Sequence, residues 1–568
     1  MRPQTADWLS LFAKIPPKAH FSGRDWLTLE MLSAKIWSTR VFPNQKIGNF
    51  SVDCPRGLSP IPELGGDLAA EPTCRVPWIS FFEDYFGISP RPESADAESN
   101  GRAPVVQLRS SAMARSGLHQ ASGLTVITKP GARHVNRFRV VQNHPAIWPL
   151  QIGDDIAFEG SYTPLRREDL IPLVKDESNN ISVALQERPP RAVVYGFDPI
   201  SSLASDTRDD RNPDVTGANA NWIAPISSSV VWSSPFIFWK GLWPADVAPL
   251  VYSIDTEGAV AYFDRSLDRC VWASKRRIVL NRRDMKVAFS VSTAVKRLER
   301  EGLVGTFHID LNGVLDAVDE AVLAETGRFH DLALHVPRIG THEAWKTLIK
   351  DDMAAEQSIR EALAILSRIA EHRVIGFRYA SWHRLPSTHD VLDKVSVGYD
   401  SSVFAHPPFL TRPFRLFSHF TGEPLGLWEF PCLDVTGAVK AGVPLWRGFR
   451  TRRKLTLRVL EFLDACALRQ GIAVLCDHDM IMGAALGHIH GTWRRDWISS
   501  RRILQKAGRC VRRKSLRPVR AAEFYDWWSW SRAIRFDIEP IIEKRGQSQQ
   551  IVIRLRGPEN SADKRTAM

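Results

Sequence analysis

VIGFRYASWHRLPSTHDVLDKVSVGYDSSV, residues 374–403, decides how the second half of this chain is read. It opens on the short apolar run VIGFR (374–378), which is strand-like in length and ends on a charged side chain. A polar and aromatic turn follows, and then a helical segment near 387–394. A strand that hands over directly to a helix is the elementary βα unit, so the question is whether its neighbours repeat it.

They do, in both directions. Upstream, Ile359, Ala362, Leu363, Leu366, Ile369 and Ala370 recur at the helical period and predict a long helix over about 343–371. Before it lie the strand DLALHV (331–336), a helix at VLDAVDEAVLAE (314–325) and the strand LVGTFHI (303–309). The helix VSTAVKRLEREG (291–302), closed by Gly302, and the strand APLVYSI (248–254) complete that side. Downstream come the strand LWEFPCL (427–433), a helix at 452–469 and the strand IAVLC (472–476). Strands alternating with helices imply a parallel sheet or a barrel of βα units.

The first half has a different texture. Strand-like runs occur at 124–128, 136–141, 181–185 and 191–197, the last two split by QERPP as in a strand pair with a short turn. The Pro-, Gly- and Ser-rich stretch 89–122 reads as a loop or linker, and 201–221, SSLASDTRDDRNPDVTGANAN, as a polar surface loop. An α/β or α+β N-terminal domain over 1–220 is therefore expected. An aromatic-rich connector at 221–245, the βα domain at 246–535 and a C-terminal extension at 536–568, disordered at its end, complete the expected organisation.

A chain of 568 residues exceeds what one hydrophobic core sustains, which fits this division. Its net charge of +12, from 75 Lys and Arg against 63 Asp and Glu, favours an acidic partner such as an anionic glycan, nucleic acid or lipid headgroups. The dense basic stretches at 447–454 and 494–520 read as solvated helix faces, and no nucleic-acid-binding motif accompanies them, so no nucleic acid partner is expected. Seven cysteines without CxxC or CxxxC spacing argue against a zinc knuckle and fit a reducing compartment. The N-terminus is broken by Asp7, Lys14 and two prolines, and no apolar run is long enough to span a bilayer. A soluble, cytoplasmic protein without a transmembrane segment is the expectation.

Active sites of βα arrays lie at the C-terminal ends of the strands. There the sequence places Asp255 and Glu257, His335 and His342, Arg378, and the triplet Asp477-His478-Asp479. Carboxylates and imidazoles from separate strand ends are what a divalent metal with a nearby acid and base requires. His308, His330, His383 and His389 read as structural or surface residues.

These stretches resemble the polysaccharide deacetylase family, carbohydrate esterase family 4 and its nodulation-type relatives. LWPADVAPLVYSIDTEG resembles the lead into the family's first motif, and GLVGTFHI its strand after the first helix. FHDLALHV resembles the stretch with the first metal histidine, and GFRYASWHRLPSTHDVLDKVSVGYDSSV the arginine motif with the helix and strand after it. IAVLCDHDM resembles the motif with the catalytic histidine, and EFYDWWSWSR the closing helix.

The resemblance implies a distorted (β/α) barrel and a metal-dependent hydrolase that removes acetyl groups from an N-acetylated saccharide, in surface polysaccharide biosynthesis or modification. It makes Asp255 the general base, Arg378 its orienting partner and His478 the acid that protonates the leaving amine. A divalent ion, zinc first, would be held by Glu257, His335 and His342. Trp382 and Trp428 are candidates for stacking on the sugar. For the N-terminal region, one strand–turn pattern resembles the amidotransferase-like, flavodoxin-type domains sometimes found ahead of deacetylase domains.

The sequence departs from the family pattern at four places, which bears on metal binding more than on fold. Thr256 follows Asp255 where the family has a second aspartate, Ile339 stands four residues after His335 where it has a histidine, and Ala380 replaces a proline two residues past Arg378. Leu475 precedes His478 by three residues rather than two. A catalytically silent relative acting as a glycan-binding or assembly component is the alternative.

Overall fold

The computed structural model describes residues 49–55, 63–65, 68–69, 71–92, 106–110, 123–129, 133–166, 169–186, 192–208, 213–233, 247–256, 263–264, 269–271, 279–281, 291–311, 320–336, 350–379, 386–406, 412–435, 445–469, 471–478, 492–533, 535–541 and 548–556. The chain divides into two compact units. One comprises 1–205, 218–246 and 526–568, and the other 206–217 and 247–525.

The first unit is built on a nine-stranded mixed sheet. Arg91–Pro92, Glu63–Gly65, Val106–Ser110, Gly123–Lys129 and Ala192–Tyr195 lie side by side and parallel. Ile181–Gln186, Ile171–Asp176, Arg133–Val140 and Asp155–Tyr162 continue it antiparallel. Phe138 stacks on Phe158 at 5.2 Å and on Phe197 at 5.0 Å, with Trp222 edge-on at 5.7 Å, so an aromatic cluster forms part of its core.

Two expectations for this half change. Arg91–Pro92 and Val106–Ser110 are strands inside the stretch read as a linker. The polar stretch 201–221 carries the helices Pro199–Thr207 and Pro213–Ala220, each begun by a proline whose fixed φ suits a first helical turn. Thr207, Thr216, Asn219 and Asn221 are buried there, and Asn219 donates from Nδ2 to the Glu159 carbonyl at 3.2 Å. The expected connector holds the helix Ile223–Ser233, and the C-terminal extension forms Arg535–Ile541 and Ser548–Arg556, which pair with each other. Ser548–Arg556 also pairs with Asn49–Pro55 from the start of the chain.

The second unit contains the strands β1 (Ala248–Thr256), β2 (Gly305–Asp310), β3 (Asp331–Val336), β4 (Gly376–Phe377) and β5 (Tyr399–Asp400). They are followed by β6 (Phe414–Phe417), β7 (Pro424–Glu429), β8 (Leu433–Asp434), β9 (Ala473–His478) and β10 (Leu516–Pro518). Their order is β6-β7-β5-β4-β3-β2-β1-β9-β8, with β10 beside the start of β1. Every pairing from β7 through β8 is parallel, and only β6 joins antiparallel.

The sheet curls strongly, because one short length of chain pairs on both sides. Trp428 and Glu429 of β7 align with Tyr399 and Asp400 of β5, while Leu433 and Asp434 of β8 align with Leu475 and Cys476 of β9. A parallel bridge between Phe404 and Cys432 lies between the two.

Helices intervene between the strands much as the periodicity predicts. Asp352–Ala370 buries Ile359, Ala362, Leu363, Leu366, Ile369 and Ala370, the residues whose spacing marked the helix. Asp351 caps its start, its Oδ1 accepting from the backbone N–H groups of Met353 and Ala354 at 3.1 Å. Gly376 permits one close approach: a Cβ there would lie 2.2 Å from the Tyr399 hydroxyl oxygen, so only glycine lets Tyr399 cross β4. Among the described residues, no helix is long and apolar enough to cross a membrane.

Candidate active site

Strand register builds the site. Asp255 of β1 aligns with His308 of β2 on one side and His478 of β9 on the other. In-register residues of parallel strands project to the same face, so a carboxylate comes to lie between two imidazoles. One step down the same face, Ser253 aligns with Thr306 and Cys476. Arg378 follows β4 immediately, its N–H bonded to the Leu334 carbonyl of β3 at 3.0 Å.

The Arg378 side chain is fully buried, and its guanidinium organises the interior. Nη1 donates to Asp255 Oδ1 at 2.6 Å and to Cys476 Sγ at 3.2 Å. Nη2 donates to Ser253 Oγ at 2.8 Å and Ser401 Oγ at 2.9 Å, and Nε to the Ser401 carbonyl at 2.7 Å. The planar fork of arginine satisfies all five directions, which an ammonium cannot. His335 Nδ1 lies 2.9 Å from the Arg378 carbonyl oxygen, which ties the β3 imidazole to the same residue.

Asp255 is 2% exposed. Its Oδ2 accepts from the Cys476 thiol at 3.3 Å and lies 4.0 Å from His478 Nε2, while Oδ1 lies 4.0 Å from His308 Nδ1. Burial by itself would raise this carboxyl. Arg378 first, then His335, His478 and His308, outweigh burial and hold it well below the usual carboxylate range, so it is ionised. Burial and then the Arg378 charge push His308 well below the usual imidazole range, so its ring is neutral. Burial likewise keeps Cys476 a thiol.

Asp477 points the other way along β9, as the strand period requires. It accepts from the Tyr252 hydroxyl at 2.9 Å, the Ser500 hydroxyl at 2.6 Å and the His478 N–H at 2.9 Å, anchoring the end of β9 that carries His478.

Of the residues singled out in the sequence, Asp255, His335, Arg378 and His478 are brought together. Glu257, His342 and Trp382 lie outside the described residues. Trp428 is placed otherwise than expected: it is 2% exposed within β7, with the Arg415 guanidinium 4.4 Å over its ring. Its ring is engaged in packing and cation–π contact rather than offered to a sugar.

His308 lies within β2, whereas the sequence points to residues that follow the strands; β1 and β9 likewise run through Asp255 and His478. The signal that finds it is register, together with a histidine inside an otherwise apolar strand.

A divalent ion needs at least three converging ligands. Among the described residues no group of three histidine, cysteine, aspartate or glutamate side chains is arranged to hold one. Thr256, where the resemblance has a metal aspartate, directs its hydroxyl to the Ile254 carbonyl at 3.4 Å, and Asp255 is committed to Arg378. The described residues therefore do not fit a metal centre by themselves.

No protein-family model matches the chain, and no curated protein sequence does. Among solved structures it is similar to a polysaccharide deacetylase from Mycobacterium smegmatis, at 14% identity and a TM-score of 0.34, over 50% of this chain and 91% of that one. It is similar to a family 4 carbohydrate esterase from Streptomyces lividans at 10% identity and a TM-score of 0.24, over 48% of this chain and 91% of that one. Agd3, described as a novel carbohydrate deacetylase, matches at 8% identity and a TM-score of 0.35, over 85% of this chain and 89% of that one. Carbohydrate deacetylases thus recur among its structural neighbours, at identities and TM-scores too low to assign any side chain a role.

Proposed function

We propose that the second unit is a deacetylase-like hydrolase acting on an N-acetylated saccharide, on a sheet that closes into a distorted β/α barrel. The observation that carries this reading is Asp255, a buried, ionised carboxylate pinned by Arg378 through Oδ1, with His478 Nε2 4.0 Å from its Oδ2. Three strand ends supply an anion, an orienting cation and an acid–base imidazole at one point. Such a set suits attack of water on an acyl carbon and protonation of a departing nitrogen.

In this reading the water oxygen bonds to the acetyl carbon while one of its protons passes to Asp255. The C–N bond then breaks as His478 delivers a proton to the nitrogen, giving acetate and an amino sugar. Arg378 keeps Asp255 available as an anion at the cost of basicity, so the reaction also needs a group that polarises the acetyl carbonyl. The resemblance assigns that task to a divalent ion, which the described residues do not fit. The excess of positive charge suits an acetylated saccharide that is also anionic, in surface polysaccharide biosynthesis or modification.

The test is acetate release from chitin oligosaccharides and other N-acetylated glycans by the full chain, beside Asp255→Asn, with elemental analysis of the same preparation. Release that Asp255→Asn abolishes supports the reading. Thr256 in place of a second aspartate favours one other reading, a silent glycan-binding relative. That reading gains if glycans bind and no acetate appears across the panel.

A further inference from the structure

We propose that His308 belongs to this site as a substrate-contacting group, its imidazole N–H donating a hydrogen bond to the acetyl oxygen as the carbonyl gains negative charge. The inference rests on the deacetylase reading and adds a residue to it.

His308 is 1% exposed, and neither Nδ1 nor Nε2 has a hydrogen-bond partner among the described residues. An imidazole buried without partners costs free energy that an apolar side chain of the same shape would not, so its presence in a strand core calls for a ligand. Its position says which ligand. Register sets it level with Asp255, and Nδ1 stands 4.0 Å from Asp255 Oδ1, too far for a direct bond and close enough for both to face one small group.

The arginine and thiol donors nearby have their own acceptor. Arg378 Nη1 and the Cys476 thiol both point at Asp255, and a carboxylate cannot donate. His308 is held neutral by burial and by Arg378, so it keeps one N–H without adding a second cation beside the arginine. When water adds to the acetyl carbon, the C=O electron pair moves onto oxygen. The His308 N–H strengthens its bond to that oxygen and keeps its proton, and the pair returns when the C–N bond breaks. A neutral donor in a dry site meets the need for carbonyl polarisation that the Arg378-pinned base creates.

Two substitutions separate this role from packing. His308→Phe removes both nitrogens at similar size, and His308→Gln restores an N–H donor. Acetate release by His308→Phe is expected to fall about 10²-fold or more in kcat with little change in KM, and His308→Gln to recover part of the loss. His308→Phe should melt no lower than the parent, because it deletes an unpaired buried polar group. A kcat within twofold of the parent overturns the proposal, as does a Phe variant that melts several degrees lower with no recovery in Gln.

Acetate titration by NMR provides a readout independent of turnover, with acetate bound by the parent and weakened by His308→Phe. If the parent hydrolyses nothing yet shows that difference, the deacetylase reading fails and His308 stands as an acyl-oxygen ligand. Equal acetate binding by both proteins, or none by the parent, overturns His308.

Discussion

Replacing Arg378 by methionine tests whether the site's electrostatics are built as described. The substitution keeps the length of the side chain and removes its charge, together with donors to Asp255, Cys476, Ser253 and Ser401. Asp255, 2% exposed, would then remain as a buried anion facing imidazoles and a thiol. Removing one partner of a buried ion pair costs about 3–5 kcal/mol, since the survivor keeps its desolvation penalty without its counter-charge. Arg378→Met should therefore lower the unfolding free energy in urea by about 4 kcal/mol at pH 7. Asp255→Asn in the same background removes the stranded charge, so the double variant should recover about 2 kcal/mol or more relative to the sum of the single losses. Additivity within about 0.5 kcal/mol would mean that the two side chains do not stabilise one another, and the reading of Asp255 as an arginine-held anion would fall.

Other expectations follow from the same geometry. Asp331, at the start of β3, accepts from the Ala522 N–H at 3.0 Å and the Tyr399 hydroxyl at 3.4 Å, and burial raises its pKa to about 6. The native state then binds this proton more tightly than the unfolded chain, so the contribution to stability is present at pH 4 and is lost as pH rises through 6. Asp331→Asn should gain up to about 3 kcal/mol at pH 8 and almost nothing at pH 4; thermal melts at both pH values check this, and a variant less stable at pH 8 refutes it. Asp255 has the opposite sign, since its depressed pKa contributes stability above the ordinary carboxylate range that is lost only in strong acid. His478→Ala should slow acetate release by about 10²-fold or more, as for loss of a general acid, and unchanged turnover would remove His478 from the mechanism. Gly376→Ala should cost about 1–3 kcal/mol, because its Cβ displaces the Tyr399 ring; a urea midpoint equal to the parent's would show that the ring yields without cost.

Local patterns were legible in the sequence because they depend on near neighbours. Helix Asp352–Ala370 was marked by its buried residues, and DLALHV is the strand Asp331–Val336 to the residue. Asp255, His335, Arg378 and His478 could be named because parallel βα units send successive strand ends to one side. Where composition misled, at 201–221, polar side chains suggested a loop, and burial with hydrogen-bond partners made helices of it. Register and long-range pairing were invisible. Nothing within β2 says that His308 will stand level with Asp255, and nothing in Ser548–Arg556 says that it will pair with Asn49–Pro55. Helical period and turn chemistry act over a few residues and are written in order along the chain. The alignment of one strand on another is settled by packing among distant segments, so only the tertiary structure could place a second imidazole beside the carboxylate.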